Sequence, residues 1–287
     1  FCNMRLSNYN MVMNMFHSIE SLAGQVTNGA SIALPPEYSW SPVALVRGLI
    51  AKEARDLQVL CVPVGGITVD MLIGAGCVSS LEAAAVSLGE AGLAPRFSEA
   101  VELGTIFIKD STCPAIHAGL QASEKGVPFM PLRGLIGSDI ELNRKDWRII
   151  SDPFDENNSP IVLVSALNPD FALFHSPKAD RFGNVWIGKR RELMVMAHAA
   201  KKTLVTVEEV VDQDFLADEA TAAGTLSNLY ISAIAEARMG AWPSVLHGFY
   251  EADHGEIAVY AHEAKTKEGF RAYMDRMLSL THLPAAE

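Results

Sequence analysis

Cysteine is scarce in this 287-residue chain: Cys2, Cys61, Cys77 and Cys113, with no Cys-x-x-Cys pair. That spacing offers neither a zinc site nor a redox dithiol, so no metal is expected, and it fits a reducing, cytoplasmic setting. Long apolar runs are missing too. Without about 18 uncharged apolar residues in a row, no membrane span is expected. The start, Phe1 to Phe16, lacks a basic region followed by an apolar block and does not read as a signal peptide. Among short motifs there is no G-x-x-x-x-G-K-[ST], no G-x-S-x-G, no H-E-x-x-H and no G-x-G-x-x-G, which removes the usual P-loop, serine-hydrolase, zincin and dinucleotide signatures. No internal repeat of fixed period occurs. Positive charge is in deficit, with 23 Lys and Arg against 34 Asp and Glu, for a formal net charge of −11. So acidic a chain repels phosphate backbones, and nucleic-acid binding is not expected.

What remains is an ordinary globular balance, 49% hydrophobic and 20% charged, in a chain long enough to bury a full core. Short β-branched runs alternate with longer amphipathic stretches. That alternation predicts βαβ units: an α/β fold, an open three-layer α/β/α sandwich with a mainly parallel sheet. Expected strands are Leu57–Val64, Thr105–Lys109, Ile161–Leu167 and Thr203–Val207, all continuously apolar as in sheets buried on both faces. One helix is expected from Ser41 as N-cap and Pro42 at the first turn, with Val43, Val46, Leu49 and Ile50 on one face. Others are expected over Phe97–Leu103, closed by Gly104, and His117–Glu124, closed by Gly126. Arg191–Lys201, Thr225–Ala237 and Lys267–Met277 complete the expected helices. Ser151–Pro160 has loop composition. The whole chain, 1–287, is expected to be one domain, with an N-terminal extension or helix over 1–20 and a helical segment over 255–287.

Five segments could carry chemistry. Gly65 and Gly66 follow a strong strand, where a glycine backbone can approach a ligand; a plain tight turn explains them equally well. Arg133, Gly134, Gly137 and Ser138 could form an anion-binding turn, or a solvated loop with a structural arginine. His175 and Asn184 lie in a dense polar stretch; a hairpin turn at Gly183-Asn184 accounts for most of it, and His175 is the best functional exception. Glu208 and Glu209 could be an acid–base pair, but Thr206 and Glu209 match a capping box at a helix start, the commoner explanation. Ser111, Thr112, Cys113 and His117 could place a thiol beside an imidazole at a strand end; with no orienting third group, a helix cap is the better account.

In order along the chain, the segments PVALVRGLI, VGGITVDMLIGAG, GLAPRFSEAVELG, HAGLQASEKGVPFMPLRGLIGSDI, PDFALFHSPKADRFGNVWIG, AAKKTLVTVEEVVD and YISAIAEARMGAWPS resemble the α subunit of class I coenzyme A transferases of the glutaconate type, over about residues 28 to 253. No single motif carries the resemblance; the ordered set does. It implies an α/β/α sandwich that pairs with a homologous β subunit, often as α2β2. It also implies transfer of CoA from an acyl-CoA to a free carboxylic acid, by a ping-pong route through a glutamyl-CoA thioester on the β subunit. No cofactor is permanently bound; CoA or acyl-CoA is a substrate, its phosphates held by local cations, helix N-termini or the partner. The attacking carboxylate is then not expected in this chain. One departure stands out. Where the family carries a glycine-rich turn after its first strand, this chain reads Ala33-Leu34-Pro35-Pro36-Glu37-Tyr38. Pro35 and Pro36 remove two N–H donors from the expected oxyanion loop. Glu37 brings a carboxylate close to it, with a solvated loop position as the plainer reading. A related branch, the cholesterol-ring hydrolases, places a working Glu just before the helix matching Ala115–Ala122; here that place is Cys113. The alternatives are a ring-opening hydrolase subunit or a non-catalytic one.

Overall fold

A computed structural model describes residues 15–280; Cys2, most of the expected N-terminal helix and the last seven positions lie outside the described residues. The strands, in chain order, are β1 (Phe16–His17), β2 (Ser31–Leu34), β3 (Leu57–Cys61), β4 (Val64–Gly65), β5 (Val78–Ala83), β6 (Ala85–Val86), β7 (Phe107–Asp110), β8 (Phe129–Leu132), β9 (Arg148–Ser151), β10 (Pro160–Ser165), β11 (Phe171–Asp180), β12 (Val185–Trp186), β13 (Lys202–Val211), β14 (Thr225–Leu226) and β15 (Ala233–Glu236). The main sheet runs β1-β15-β13-β11-β2-β3-β5-β7, and each neighbouring pair along that path is parallel. The short β12 and β14 extend β11 antiparallel.

The sheet is covered on both faces because its strands are apolar on both. Ile32, Leu34, Val59 and Cys61 face one core, where helices Val43–Ala51, Ile67–Gly74, His254–Glu263 and Lys267–Ser279 pack. The alternate residues Ala33, Leu60, Ala172 and Val205 face a second core under helices Cys113–Glu124 and Arg191–Ala199. Successive side chains of a strand point to opposite faces, so one sheet separates two helical layers.

One topological feature positions everything that follows. From β2 the chain builds outward through β3, β5 and β7; from β11 it builds the other way through β13 and β15. The order therefore reverses between β2 and β11. These two strands pair only at Phe171↔Ile32 and Ala172↔Ala33. Beyond that pairing β11 continues to Asp180, and a crevice opens at the carboxyl ends of the strands, the ligand-binding place of open α/β sheets.

Several expected elements are corrected. The Leu57–Val64 run is two strands, broken at Pro63. The apolar run Ile161–Leu167 does form a strand, β10, but in a separate antiparallel sheet of order β8-β10-β9. The loop between β9 and β10 spans only residues 152–159. That is too short for a parallel crossover, which needs a dozen residues or more. Asp152 organises the loop, accepting from the Phe154 N–H through its side chain. This small sheet is tied to the edge of the main one by Arg144 and Lys109, which both pair with Glu82 and Asp146.

Thr206–Val211 is not a helix start but the end of β13, held by β11 and β15 on either side. Thr225–Ala237 is likewise not helical: it gives β14, a short 3-10 turn and β15. The run Ala-Ile-Ala-Glu has good helix propensity, but its small residues fit beside β13, and tertiary packing decides. Ser41 caps nothing. The helix begins at Val43 after Pro42, and the Ser41 hydroxyl meets Thr68 Oγ1 at 3.1 Å instead.

Candidate functional site

The loop leaving β2 enters the crevice. Pro35 and Pro36 are buried and lead into a 3-10 turn, Glu37–Ser39. Trp40 ends the turn in the left-handed region, φ 64°, a strained setting for a bulky residue. It is fixed there because its carbonyl accepts the His175 N–H from β11 at 2.9 Å.

Glu37 is not the solvated loop residue of the plainer reading. One carboxylate oxygen, Oε2, accepts from the Ser244 hydroxyl at 2.8 Å. The other, Oε1, is buried and has no hydrogen-bond partner. Burial pushes the carboxyl up to about 7, against the Ser244 bond and the amides that open helix Ile67–Gly74, and the nearby Asp70 adds to the rise. The carboxylate lies so close to Gly66 that a Cβ there would meet Glu37 Cγ at 2.2 Å. Gly66 therefore makes room for Glu37, a packing duty that its sequence position does not disclose.

Deeper in the crevice is a second glutamate. Glu208 Oε1 accepts from His175 Nε2 at 2.9 Å, Tyr250 Oη at 2.7 Å and the Gly240 N–H at 3.1 Å, while Oε2 accepts from the Met239 N–H at 2.8 Å. Burial pushes the His175 ring below its ordinary value. Burial alone would push Glu208 up, but its donors outweigh this and hold it low. The pair is thus a neutral imidazole donating to an ionised carboxylate. With Nε2 donating, His175 Nδ1 accepts from the Thr206 hydroxyl at 2.9 Å. Both ring nitrogens are engaged, and His175 is fully buried. A Cβ on Gly240 would lie 2.4 Å from His175 Cε1, so the segment after β15 seals the imidazole in place.

A third cluster lies outside the residues singled out from the sequence. Arg190 is 8% exposed and stacks its guanidinium over the Trp40 ring, 3.8 Å from the centroid. Trp186 lies beyond that ring, 5.8 Å between centroids. Arg190 Nη2 donates to His247 Nδ1 at 2.7 Å. Close by, the Ser39 hydroxyl bonds the Glu192 carboxylate. The sequence does hold a signal, a Lys189-Arg190-Arg191 triplet in an acidic chain, but its pairing with Trp40 depends on the fold.

The remaining expected residues are more scattered. Ser111, Thr112 and Cys113 lie at the end of β7: Thr112 caps helix Cys113–Glu124, Cys113 is exposed, and the buried Ser111 hydroxyl has no partner. Arg133 pairs at the surface with Asp152, 2.8 Å. Gly137 and Ser138 open a short capped turn beyond β8, bonded to Glu141 and Leu135. Asn184 sits in the β11–β12 hairpin and donates to Asp180 at 2.8 Å, within a turn that Asp180 organises. The structure thus gathers Pro35, Pro36, Glu37, Gly65, Gly66 and His175 at the order reversal, and leaves Arg133, Gly137, Ser138 and Asn184 in turns of their own.

A three-layer sandwich with its polar crevice at the reversal point defines an α/β enzyme of the open-sheet class. A family model described as Coenzyme A transferase matches residues 16–237, and the chain belongs to that family. A 3-oxoadipate CoA-transferase subunit of Pseudomonas knackmussii is 30% identical over 90% of this chain and 91% of its own length. A cholesterol ring-cleaving hydrolase IpdA subunit of Rhodococcus jostii is 28% identical over 91% of each. An Archaeoglobus fulgidus protein is 33% identical over 72% of this chain, and the match spans only 46% of that protein's length. The crystal structure of glutaconate coenzyme A-transferase from Acidaminococcus fermentans superimposes with a TM-score of 0.83 over 92% of this chain and 88% of that one, at 24% identity, and so shares the fold. Among the described residues no helix is long and apolar enough to cross a membrane.

Proposed function

We propose that this chain is the α-type subunit of a heteromeric coenzyme A transferase that moves CoA from an acyl-CoA to a free carboxylic acid, paired with a homologous β-type subunit in a cytoplasmic α2β2 assembly. The observation that carries the reading is the match along nine-tenths of the chain to a protein named as one subunit of such an enzyme. The chemistry is divided between the two subunits. A glutamate of the partner attacks the thioester carbonyl and expels CoA thiolate, leaving an acyl–glutamyl anhydride. The thiolate returns to the glutamyl carbonyl and releases the donor acid. The acceptor carboxylate then reverses both steps, giving ping-pong kinetics. The partner's carboxylate is already ionised near neutral pH and needs no base.

The glutamates of this chain support that division. Glu208 has its oxygens taken by four donors, and Glu37, pushed up to about 7, is partly protonated at neutral pH. Neither has the profile of a free carboxylate nucleophile. Pro35 and Pro36 offer no N–H to a developing oxyanion. Among the polar groups at this loop are the Glu37 carboxyl and the Ser244 hydroxyl that donates to it from a distant segment. The interface with the partner subunit would limit water, which would hydrolyse an anhydride.

The test uses the co-expressed pair. Initial rates with acyl-CoA and a free acid should give parallel double-reciprocal lines, and borohydride should reduce the enzyme–CoA thioester at a partner glutamate. Turnover by this chain alone would overturn the division of labour. A second reading, a CoA-dependent ring-opening hydrolase subunit, is motivated by the Rhodococcus jostii relative. It predicts a cleaved acyl-CoA with no acceptor acid required. By the resemblance, that branch's working glutamate falls at Cys113 here, an exposed thiol, which favours the transferase.

A further inference from the structure

A groove runs between helix Pro95–Leu103 on one side and helices His254–Glu263 and Lys267–Ser279 on the other. One end of it is a cavity of about 190 Å³, lined in part by Gly76, Arg96, Glu99, Thr105, Lys267 and Arg271. Gly76 leads into β5 and Thr105 into β7, so the cavity lies at the amino ends of the strands, away from the crevice at their carboxyl ends. Its charges are three cations and one carboxylate, in a chain whose formal net charge is −11. Glu99 is shared: it pairs with Arg96 and, at 3.9 Å, with Lys267. Arg271 forms no ion pair among the described residues. Arg96 is 4% exposed, and its Nε is buried with no acceptor. The Arg96 side chain is packed tightly, since a Cβ on Gly74 would lie 2.7 Å from its Cγ. Lys267 opens the helix Lys267–Ser279, with Thr266 as N-cap. Lys267 and Arg271 thus add positive charge to the positive end of a helix dipole. Glu268, in the same turn, is exposed and is not part of the cavity lining.

We infer that this cavity is a binding site for a phosphate group, held by Arg96, Lys267 and Arg271 at the N-terminus of helix Lys267–Ser279. Three cations against one carboxylate leave a surplus of two positive charges, which a phosphate dianion neutralises and a single carboxylate does not. Guanidinium forks and a helix N-terminus are the donors that suit phosphate oxygens. Arg96 contributes a fixed guanidinium whose Nε is still without an acceptor. The volume is about ten times what one water needs, so a phosphate can enter. The rest of the groove, about 730 Å³, shares Arg96 and Glu99 with the cavity and is walled by Ala91, Leu93, Pro95, Ala258 and Ala261. It has room and apolar surface for the organic part of a phosphate ester. The site is separate from the crevice, so the inference does not depend on the transferase reading.

The experiment measures binding to the full chain by calorimetry at constant ionic strength, with inorganic phosphate and AMP as probes and chloride as the balancing anion. Phosphate should bind saturably, at one site per chain. Arg271→Gln and Lys267→Gln change exposed positions, which leaves the fold intact, and each should weaken phosphate binding at least tenfold. Arg271→Lys, which keeps the charge but not the fork, should retain part of the affinity. Lys265→Gln removes the same charge from the groove outside the cavity and should leave phosphate affinity unchanged. AMP binding tighter than phosphate, with the same loss in Arg271→Gln, assigns the site to a phosphate ester; AMP binding no tighter assigns it to free phosphate. No saturable phosphate binding overturns the inference. So does phosphate affinity that survives both cavity substitutions, or that falls equally in all three glutamine variants, since the second result is a general field effect and not a site.

Discussion

Glu208 and Glu37 are both drawn into the same crevice, and their surroundings treat them in opposite ways. Glu208 receives four donors, two from side chains and two from backbone amides. Glu37 receives the Ser244 hydroxyl on one oxygen and leaves the other buried and bare. The consequence is opposite ionisation: Glu208 is held low, while Glu37 is pushed up to about 7. Burial acts on both; at Glu208 the donors outweigh it, and at Glu37 the Ser244 hydroxyl and the amides that open helix Ile67–Gly74 do not. A saturated network such as that around Glu208 rigidifies, because every member is needed by another. An unsaturated one has capacity left for a ligand. Arg190 and Trp40 extend the second pattern, with buried nitrogens that find no acceptor. Side by side, then, stand a network whose hydrogen-bonding capacity is filled and groups whose capacity is not.

The largest effect should come from the saturated side. Glu208→Ala strands the His175 N–H, the Tyr250 hydroxyl and two amides, and should cost roughly 3–5 kcal/mol of stability. Denaturant midpoints would show it, and a loss no greater than that of Glu37→Ala would break the contrast. Glu37→Gln should act the other way. Because the folded carboxyl titrates near 7 rather than at 4.5, the native state holds the proton more tightly than the unfolded one. That stabilisation is complete below the unfolded value and is lost as pH rises through about 7. At about pH 8 the neutral glutamine should therefore stabilise the protein by about 3 kcal/mol, with little effect at about pH 5. Unfolding curves at the two pH values decide it, and equal shifts at both would show that Glu37 is ionised throughout. Glu208, held low, keeps its contribution at neutral pH and loses it only on acidification below the ordinary glutamate range. The smallest effect belongs outside the crevice: Arg133→Ala removes an exposed surface pair and should change stability by no more than about 0.5 kcal/mol. A fall in CoA affinity in that variant would return its loop to the site.

Much of this is legible in the residues. Continuous apolar runs mark β3, β7 and β13 nearly in place, and the ordered segments point to the family. Gly104 and Gly126 do end their helices; both adopt positive φ, 61° and 66°. The departures share a cause. TVEEVV has a complete local explanation as a capping box, yet Thr206 lies opposite His175 in register, and Glu208 finds donors on Met239, Gly240 and Tyr250. A local pattern cannot weigh partners thirty or forty residues away. The same holds for Glu37, whose partner Ser244 is 207 residues distant. It holds too for β10, whose apolar run suits a parallel sheet but whose short loop forces it antiparallel.

Residue order is enough for the class of fold, the family and the departure at Pro35-Pro36-Glu37, because these rest on periodicity, on motif order and on residues that lack an N–H. It is not enough to say which buried polar groups are satisfied. Ionisation and readiness for a ligand depend on counting donors within hydrogen-bond reach. Those donors arrive from β11, β13, the segment after β15 and the Arg190 turn only when the sheet is assembled.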